Sequence, residues 1–82
     1  MALVDDIASL VEAIVVPLID FPDELDVQAS VEGDTVYIDL GVHPDDAGKV
    51  IGRQGRLIKA IRTVARAAAS KDGYQVEVEL ME

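Results

Sequence analysis

The residues best suited to chemistry lie between positions 48 and 59, where glycines are interspersed with basic side chains. Gly52 and Gly55 bound the dipeptide Arg53-Gln54. Because glycine has no Cβ, a phosphate backbone can approach the main chain closely at such a loop. Free N–H groups at the start of the next helix, together with arginine side chains, favour an anion there. The segment therefore predicts a phosphate-binding loop between two helices.

We assign the binding role to residues that supply either main chain or positive charge at this loop. These are Lys49, Gly52, Arg53, Gln54, Gly55, Arg56 and Lys59. At about 100° per residue, the basic residues of the following helix share one arc, and the opposite arc is apolar. The basic arc contains Arg56, Lys59, Arg62 and Arg66, and the apolar arc, which we expect to pack on a sheet, contains Leu57, Ile58, Ile61, Val64, Ala65 and Ala68. A basic stripe of this kind is also typical of a solvated helix face.

Positive and negative charges are segregated along the chain. Residues 1–48 contain 12 acidic residues and no Lys or Arg, all 7 basic residues lie within residues 49–71, and the net charge is −9. This is typical of a patch that faces a polyanion on a body that otherwise repels one. A basic helix paired with its own acidic neighbours would give the same pattern. Since the whole chain is acidic, we expect any nucleic-acid binding to be weak and salt-sensitive, on the order of micromolar or poorer.

The sequence contains few residues suited to catalysis or metal binding. The chain has one histidine, His43, and no cysteine, which excludes a Cys–His nucleophile, a disulfide framework and a thiolate metal site. Asp45 and Asp46 are explained without a metal, by capping of a helix that starts at Pro44. No apolar run reaches the roughly 20 residues of a membrane span. We therefore predict no catalytic residue, metal, cofactor, small-molecule substrate or membrane insertion, and a cytoplasmic location.

Hydrophobic periodicity predicts the elements that position the loop. They are a helix over residues 3–16, strands over 25–32 and 35–42, a short helix from Pro44, a helix from about Gly55 to Ser70, and a strand over 74–80. Pro17 and Pro22 end the first helix, and Gly33-Asp34 joins the first two strands as a hairpin. The order α-β-β-α-α-β predicts an α+β fold of two layers, in one domain over residues 1–82. Helices cover one face of a three-stranded mixed sheet whose middle and last strands are parallel.

With this order of elements and the motif Val50-Ile51-Gly52-Arg53-Gln54-Gly55-Arg56, the chain resembles a type II KH domain over essentially its whole length. It looks most like the small stand-alone bacterial members. The resemblance implies a clamp for about four nucleotides of single-stranded RNA backbone. It also implies an RNA chaperone or regulator that forms a homodimer or pairs with a larger KH protein, KhpB (also called Jag or EloR). The pair is linked to cell elongation and envelope growth.

A protein–protein interaction module with little RNA binding of its own is the alternative. Residues 13–19 are apolar nearly all round, and the long helix carries several alanines that would let another helix approach closely. The possible interface residues on that helix are Ile58, Ile61, Arg62 and Ala65. The two functions are compatible, because a dimer would present two loops to one RNA strand.

Overall fold

A computed structural model, which describes residues 2–81, contains the helices and strands in the predicted order. They are α1 (Ala2–Val15), β1 (Asp26–Glu32), β2 (Thr35–Gly41), α2 (Ala47–Ile51), α3 (Arg56–Ser70) and β3 (Gln75–Met81). Short 3-10 turns lie at Val16–Leu18, Pro22–Glu24, Pro44–Asp46 and Arg53–Gly55. The α+β class and the order α-β-β-α-α-β are confirmed.

Helix α1 forms because apolar side chains recur on one face, and it ends at Val15 because Pro17 cannot continue the backbone hydrogen bonding. The face that packs inward carries Val4, Ile7, Val11 and Val15, all buried. After the turn at residues 16–18 the chain is extended at Ile19, which is also buried. Pro17 thus ends the helix as predicted, whereas Pro22 lies beyond it, in the 3-10 turn Pro22–Glu24.

Strand β2 is the centre of the sheet, with β1 and β3 at its edges. β1 pairs antiparallel with β2 in a register that runs from Asp26↔Gly41 to Glu32↔Thr35. That register leaves two residues for the turn, and Gly33 takes the positive φ of +62° that it requires. β3 pairs parallel with β2, with Val36 opposite Val76. The predicted hairpin and parallel pair are both confirmed.

The core lies between the helices and one face of the sheet. The sheet contributes the buried residues Val36, Ile38, Leu40, Val76 and Val78. Helices α2 and α3 contribute the buried residues Val50, Ile58, Ile61, Ala65 and Ala69. The opposite face of the sheet presents Tyr37, Glu77 and Glu79 to solvent. Helices on one face and solvent on the other make the two predicted layers.

The buried face of α3 is narrower than the predicted apolar arc. Ile58, Ile61 and Ala65 are buried in the chain's own core, whereas Val64 is 43% exposed. Val64 lies about 100° around the helix from Ala65 and so points away from the sheet. The possible interface at Ile58, Ile61 and Ala65 stays a prediction, and these three side chains are buried within the single chain.

Truncation of a core side chain on α3 separates these two environments. Ile61→Ala removes buried methyl groups and should lower the free energy of unfolding by about 2–5 kcal/mol. Val64→Ala on the exposed side of the same helix is the control and should stay within about 0.5 kcal/mol of the wild type. Urea unfolding followed by circular dichroism measures both. Equal losses for the two variants would contradict the assignment of Ile61 to the core.

Candidate nucleic-acid interface

A short, capped helix leads into the glycine loop. The ring of His43 accepts a hydrogen bond from the Asp45 N–H at its Nδ1 atom, 3.0 Å away, and so caps the 3-10 turn Pro44–Asp46. Helix α2 follows and ends where the Gly52 N–H donates to the carbonyl of Gly48 at 2.9 Å. The predicted start of a helix at His43-Pro44 is confirmed.

The loop needs its first glycine for a steric reason. Gly52 has a φ of 75°, and a Cβ built there would lie 2.6 Å from the Cβ of Leu57 and 3.0 Å from its backbone nitrogen. The chain therefore turns back on the first turn of α3 at a distance that only glycine permits. Gln54 and Gly55 follow with φ of 58° and 74°. Three of the four residues from Gly52 to Gly55 thus have a positive φ.

This backbone leaves consecutive N–H groups open at the loop. The Gly55 N–H donates to the Gly52 carbonyl at 3.3 Å, and the Arg56 N–H donates to the Arg53 carbonyl. The N–H groups of Arg53 and Gln54 have no acceptor among residues 2–81. Neighbouring N–H groups in a turn of this kind form a concavity that binds anions.

The cations around the loop fall into two groups. Arg53, Arg56 and Lys59 are exposed and form no ion pair with any residue that the structure describes. Lys49, by contrast, donates to the carboxylates of Asp20 and Asp46. Three of the four basic residues predicted for the site therefore keep an uncompensated charge at the loop. The fourth, Lys49, is instead paired with these two carboxylates.

The basic stripe of α3 divides halfway along the helix. Arg62 donates through Nε to the carbonyl of Val78 at 3.0 Å, and Arg66 donates through Nε to that of Val76 at 3.2 Å. Because β3 is an edge strand, these arginines cover carbonyls that have no partner strand. Arg66 also lies 3.9 Å from Glu77. Only the half of the stripe nearest the loop is left free of such contacts.

An open cleft of about 450 Å³ runs between α3 and β3 beside this stripe. Its lining residues are Lys59, Arg62, Thr63, Arg66, Glu77, Val78 and Glu79. The position of β3 beside the basic stripe was not predicted from the sequence. The i,i+4 spacing of Arg62 and Arg66, together with the parallel β2–β3 pair, was the signal that could have shown it.

Asp46 has a different role from the predicted one. Its side chain is fully buried, makes no helix cap, and accepts the N–H of Asp20 at 3.0 Å on Oδ1 and the N–H of Phe21 at 2.9 Å on Oδ2. Burial acts to raise the pKa of this carboxyl, but the two backbone donors and Lys49 outweigh it and hold the pKa below its ordinary value. Asp20, in turn, raises the pKa of Lys49 through their hydrogen bond.

A ring contact joins the same two segments. Phe21 stacks on His43 with ring centroids 4.1 Å apart and an interplanar angle of 20°. The Nε2 atom of His43 lies 3.6 Å from a carboxylate oxygen of Glu24. The histidine therefore helps to join the α1–β1 connection to the start of α2.

Between residues 2 and 81 no cluster of three or more histidine and acidic side chains is arranged to bind a metal ion. Over the same range, no helix has the length and apolar character needed to cross a membrane.

The element order, the parallel β2–β3 pair and a glycine loop between α2 and α3 define a type II KH domain. The KH-domain model of the KhpA/KhpB family matches residues 8–80, and the chain belongs to this family.

Curated proteins of the same family are similar to the chain over most of its length. The RNA-binding protein KhpA of Halalkalibacterium halodurans is 46% identical over 74 residues, which is 90% of this chain and 97% of that protein. The RNA-binding protein KhpA of Clostridium acetobutylicum is 47% identical over 72 residues, 88% of this chain and 96% of the relative. For the RNA-binding protein KhpA of Bacillus subtilis the identity is 41% over 73 residues, 89% and 90% of the two chains. No solved structure gives a significant match.

The two loop glycines should respond differently to an added methyl group. Gly55→Ala meets no atom within 4 Å and is strained only by its positive φ, a cost of about 1–2 kcal/mol. Gly52→Ala would place a side chain at φ 75° and ψ 178°, a region essentially confined to glycine, and would also clash with Leu57, so its loss should be larger. Chemical unfolding of both variants measures the difference. Equal losses would contradict the close contact between Gly52 and α3.

The buried carboxyl predicts a pH dependence of stability. Because the pKa of Asp46 is lower in the folded chain than its ordinary 3.8, its contribution is fully present above that pH. The contribution is lost as the pH falls through the lowered value. The difference in unfolding free energy between wild type and Asp46→Asn should therefore be constant from neutral pH to about 4 and shrink below it. A difference that grows on acidification would contradict the assignment.

Proposed function

We propose that the protein binds single-stranded RNA by holding the sugar–phosphate backbone against the Gly52–Gly55 loop. The observation that carries the proposal is the pair of open N–H groups at Arg53 and Gln54, surrounded by cations that have no ion-pair partner among the described residues. Membership of the KhpA/KhpB family supports it, since the relatives are named RNA-binding proteins.

Each loop residue has a physical role in this binding. Gly52 and Gly55 hold the backbone in a conformation that lets phosphate come close to the N–H groups of Arg53 and Gln54. The guanidinium groups of Arg53 and Arg56 then make charge-assisted hydrogen bonds to phosphate oxygens. Lys59, about one turn along α3, extends the positive surface toward the cleft.

The rest of the surface restricts where RNA can lie. The outer face of the sheet carries Asp26, Asp39, Glu77 and Glu79, so it repels a polyanion. RNA is therefore confined to the loop and the neighbouring half of α3. With three free cations in contact with phosphates, log K should fall against log salt with a slope of about −2. Binding is accordingly weak and strongly salt-dependent.

We further propose that the chain acts in the cytoplasm as an RNA chaperone or regulator, with a second copy or a KhpB (Jag/EloR)-like protein as partner. The cellular process would be elongation and envelope growth. A protein–protein surface is favoured by large apolar side chains that remain exposed: Val16 at 40%, Leu18 at 37% and Val64 at 43%. The same observation supports the alternative, a dimerisation module with little RNA binding of its own. Arg62, half-buried over the edge of β3, is the one residue of the sequence-based interface that stays partly accessible.

Replacing the two central loop residues with aspartates tests RNA binding at this site. Arg53→Asp with Gln54→Asp changes the charge by −3 and puts carboxylates beside the open N–H groups, so ultraviolet crosslinking to RNA should be lost while circular dichroism stays native.

Lys71→Asp with Gln75→Asp is the matched control, because it changes the charge equally at exposed positions away from the loop. This control should retain most of the crosslinking. Equal losses in both double variants would indicate a diffuse charge effect. No crosslinking in the wild type would favour the dimerisation module instead.

A further inference from the structure

Helix α2 is too short to determine its own position. Ala47–Ile51 has five residues, and an isolated helix of that length is not stable in water. Its direction nevertheless decides where the loop lies, because Gly52 follows its last residue directly. Contacts with the rest of the chain must therefore orient α2, and one of them is Val50, which is buried in the core.

The other contacts are polar and centre on the residue before α2. The two carboxylate oxygens of Asp46 bind two successive N–H groups of the α1–β1 connection, at Asp20 and Phe21. Both residues can donate to the carboxylate because neither is a proline and both N–H groups lie outside the regular helices. Asp46 thus ties the N-terminal end of α2 to a segment 25 and 26 residues away.

Lys49 completes the same contact one turn later. Its ammonium lies 3.2 Å from Oδ1 of Asp46 and also donates to the carboxylate of Asp20. Two negative groups therefore compensate its charge, in contrast to Arg53 and Arg56. A phosphate that approached Lys49 would have to displace or face both carboxylates, which makes it a poor phosphate ligand.

We propose that Asp46 and Lys49 are positioning residues of the RNA site, which orient α2 so that the Gly52–Gly55 loop faces outward, and that Lys49 does not itself contact phosphate. The inference rests on the proposed binding of RNA at the loop. Asp46 is the buried member of this ion pair, whereas the Lys49 side chain is 41% exposed. A buried charged group adds little net stability compared with apolar side chains, and its better attested use is to specify one arrangement.

The direction of the change in RNA affinity distinguishes this positioning role from a simple effect of charge. Removing a negative charge near the loop should strengthen binding of a polyanion if charge alone matters. Asp46→Asn should instead weaken RNA binding, by about tenfold, because the amide cannot accept both backbone N–H groups. Its neighbour Asp45 supplies the matched control, since its carboxylate is 76% exposed and Asp45→Asn removes the same charge. This control should bind RNA as tightly as the wild type or more tightly.

Lys49 is tested by the salt dependence of binding. Fluorescence anisotropy with a labelled single-stranded oligoribonucleotide should show weaker binding for Lys49→Met with an unchanged slope of log K against log salt. Loss of a phosphate contact would instead reduce the slope by about 0.7. Lys49→Arg keeps the charge between the two carboxylates and should restore most of the affinity. All titrations are made at a temperature where circular dichroism shows the variants to be folded.

Each outcome bears on a different statement. A reduced slope in Lys49→Met, or Asp46→Asn that binds as tightly as Asp45→Asn, overturns the positioning role while RNA binding at the loop stands. If Asp46→Asn does not fold, the slopes of Lys49→Met and Lys49→Arg decide the question alone. A wild type that does not bind the oligoribonucleotide overturns the proposed function itself, and the positioning role with it.

Discussion

The close contact between Gly52 and the first turn of α3 is the constraint on which the site depends. With only 2.6 Å between a Cβ at Gly52 and that of Leu57, the chain can make this turn at glycine alone. After this turn only the 3-10 turn Arg53–Gly55 precedes α3, and Gln54 and Gly55 have left-handed conformations. The N–H groups of Arg53 and Gln54 have no acceptor among residues 2–81. The glycine required at position 52 thus sets a backbone conformation in which the hydrogen-bond donors of the proposed RNA site are unpaired.

Unpaired positive charge is the second feature of the proposed RNA site. Among residues 2–81, three basic side chains near the loop are engaged by the protein itself: Lys49 by two carboxylates, and Arg62 and Arg66 by carbonyls of β3. The cations that remain free lie beside the open N–H groups. Four acidic residues, Asp26, Asp39, Glu77 and Glu79, lie on the outer face of the sheet. A net charge of −9 is therefore compatible with RNA binding at the proposed site.

Most of the fold could be predicted from local sequence patterns, whereas contacts between residues far apart in the sequence could not. Alternation and helical periodicity each depend on neighbouring residues, so they indicated the hairpin, the parallel pair and the loop between two helices. The partners of Asp46 are backbone N–H groups far away in the sequence, and nothing in Asp45-Asp46 distinguishes the capping residue expected from the buried anchor observed. The ion pairs of Lys49 with Asp20 and Asp46 could not be predicted for the same reason. Val64 was misplaced because the width of the buried face of α3 depends on how closely the sheet approaches it.

The statement that RNA backbone lies against the main chain of the loop can be tested most directly by an amide NMR titration with a single-stranded oligoribonucleotide. The account predicts that the largest shifts of the ¹H–¹⁵N signals occur at Arg53, Gln54 and Gly55, with smaller changes along the first two turns of α3. Shifts that are largest on the outer face of the sheet, at Tyr37 or Glu77, would contradict it, as would loop signals that do not move while other regions respond.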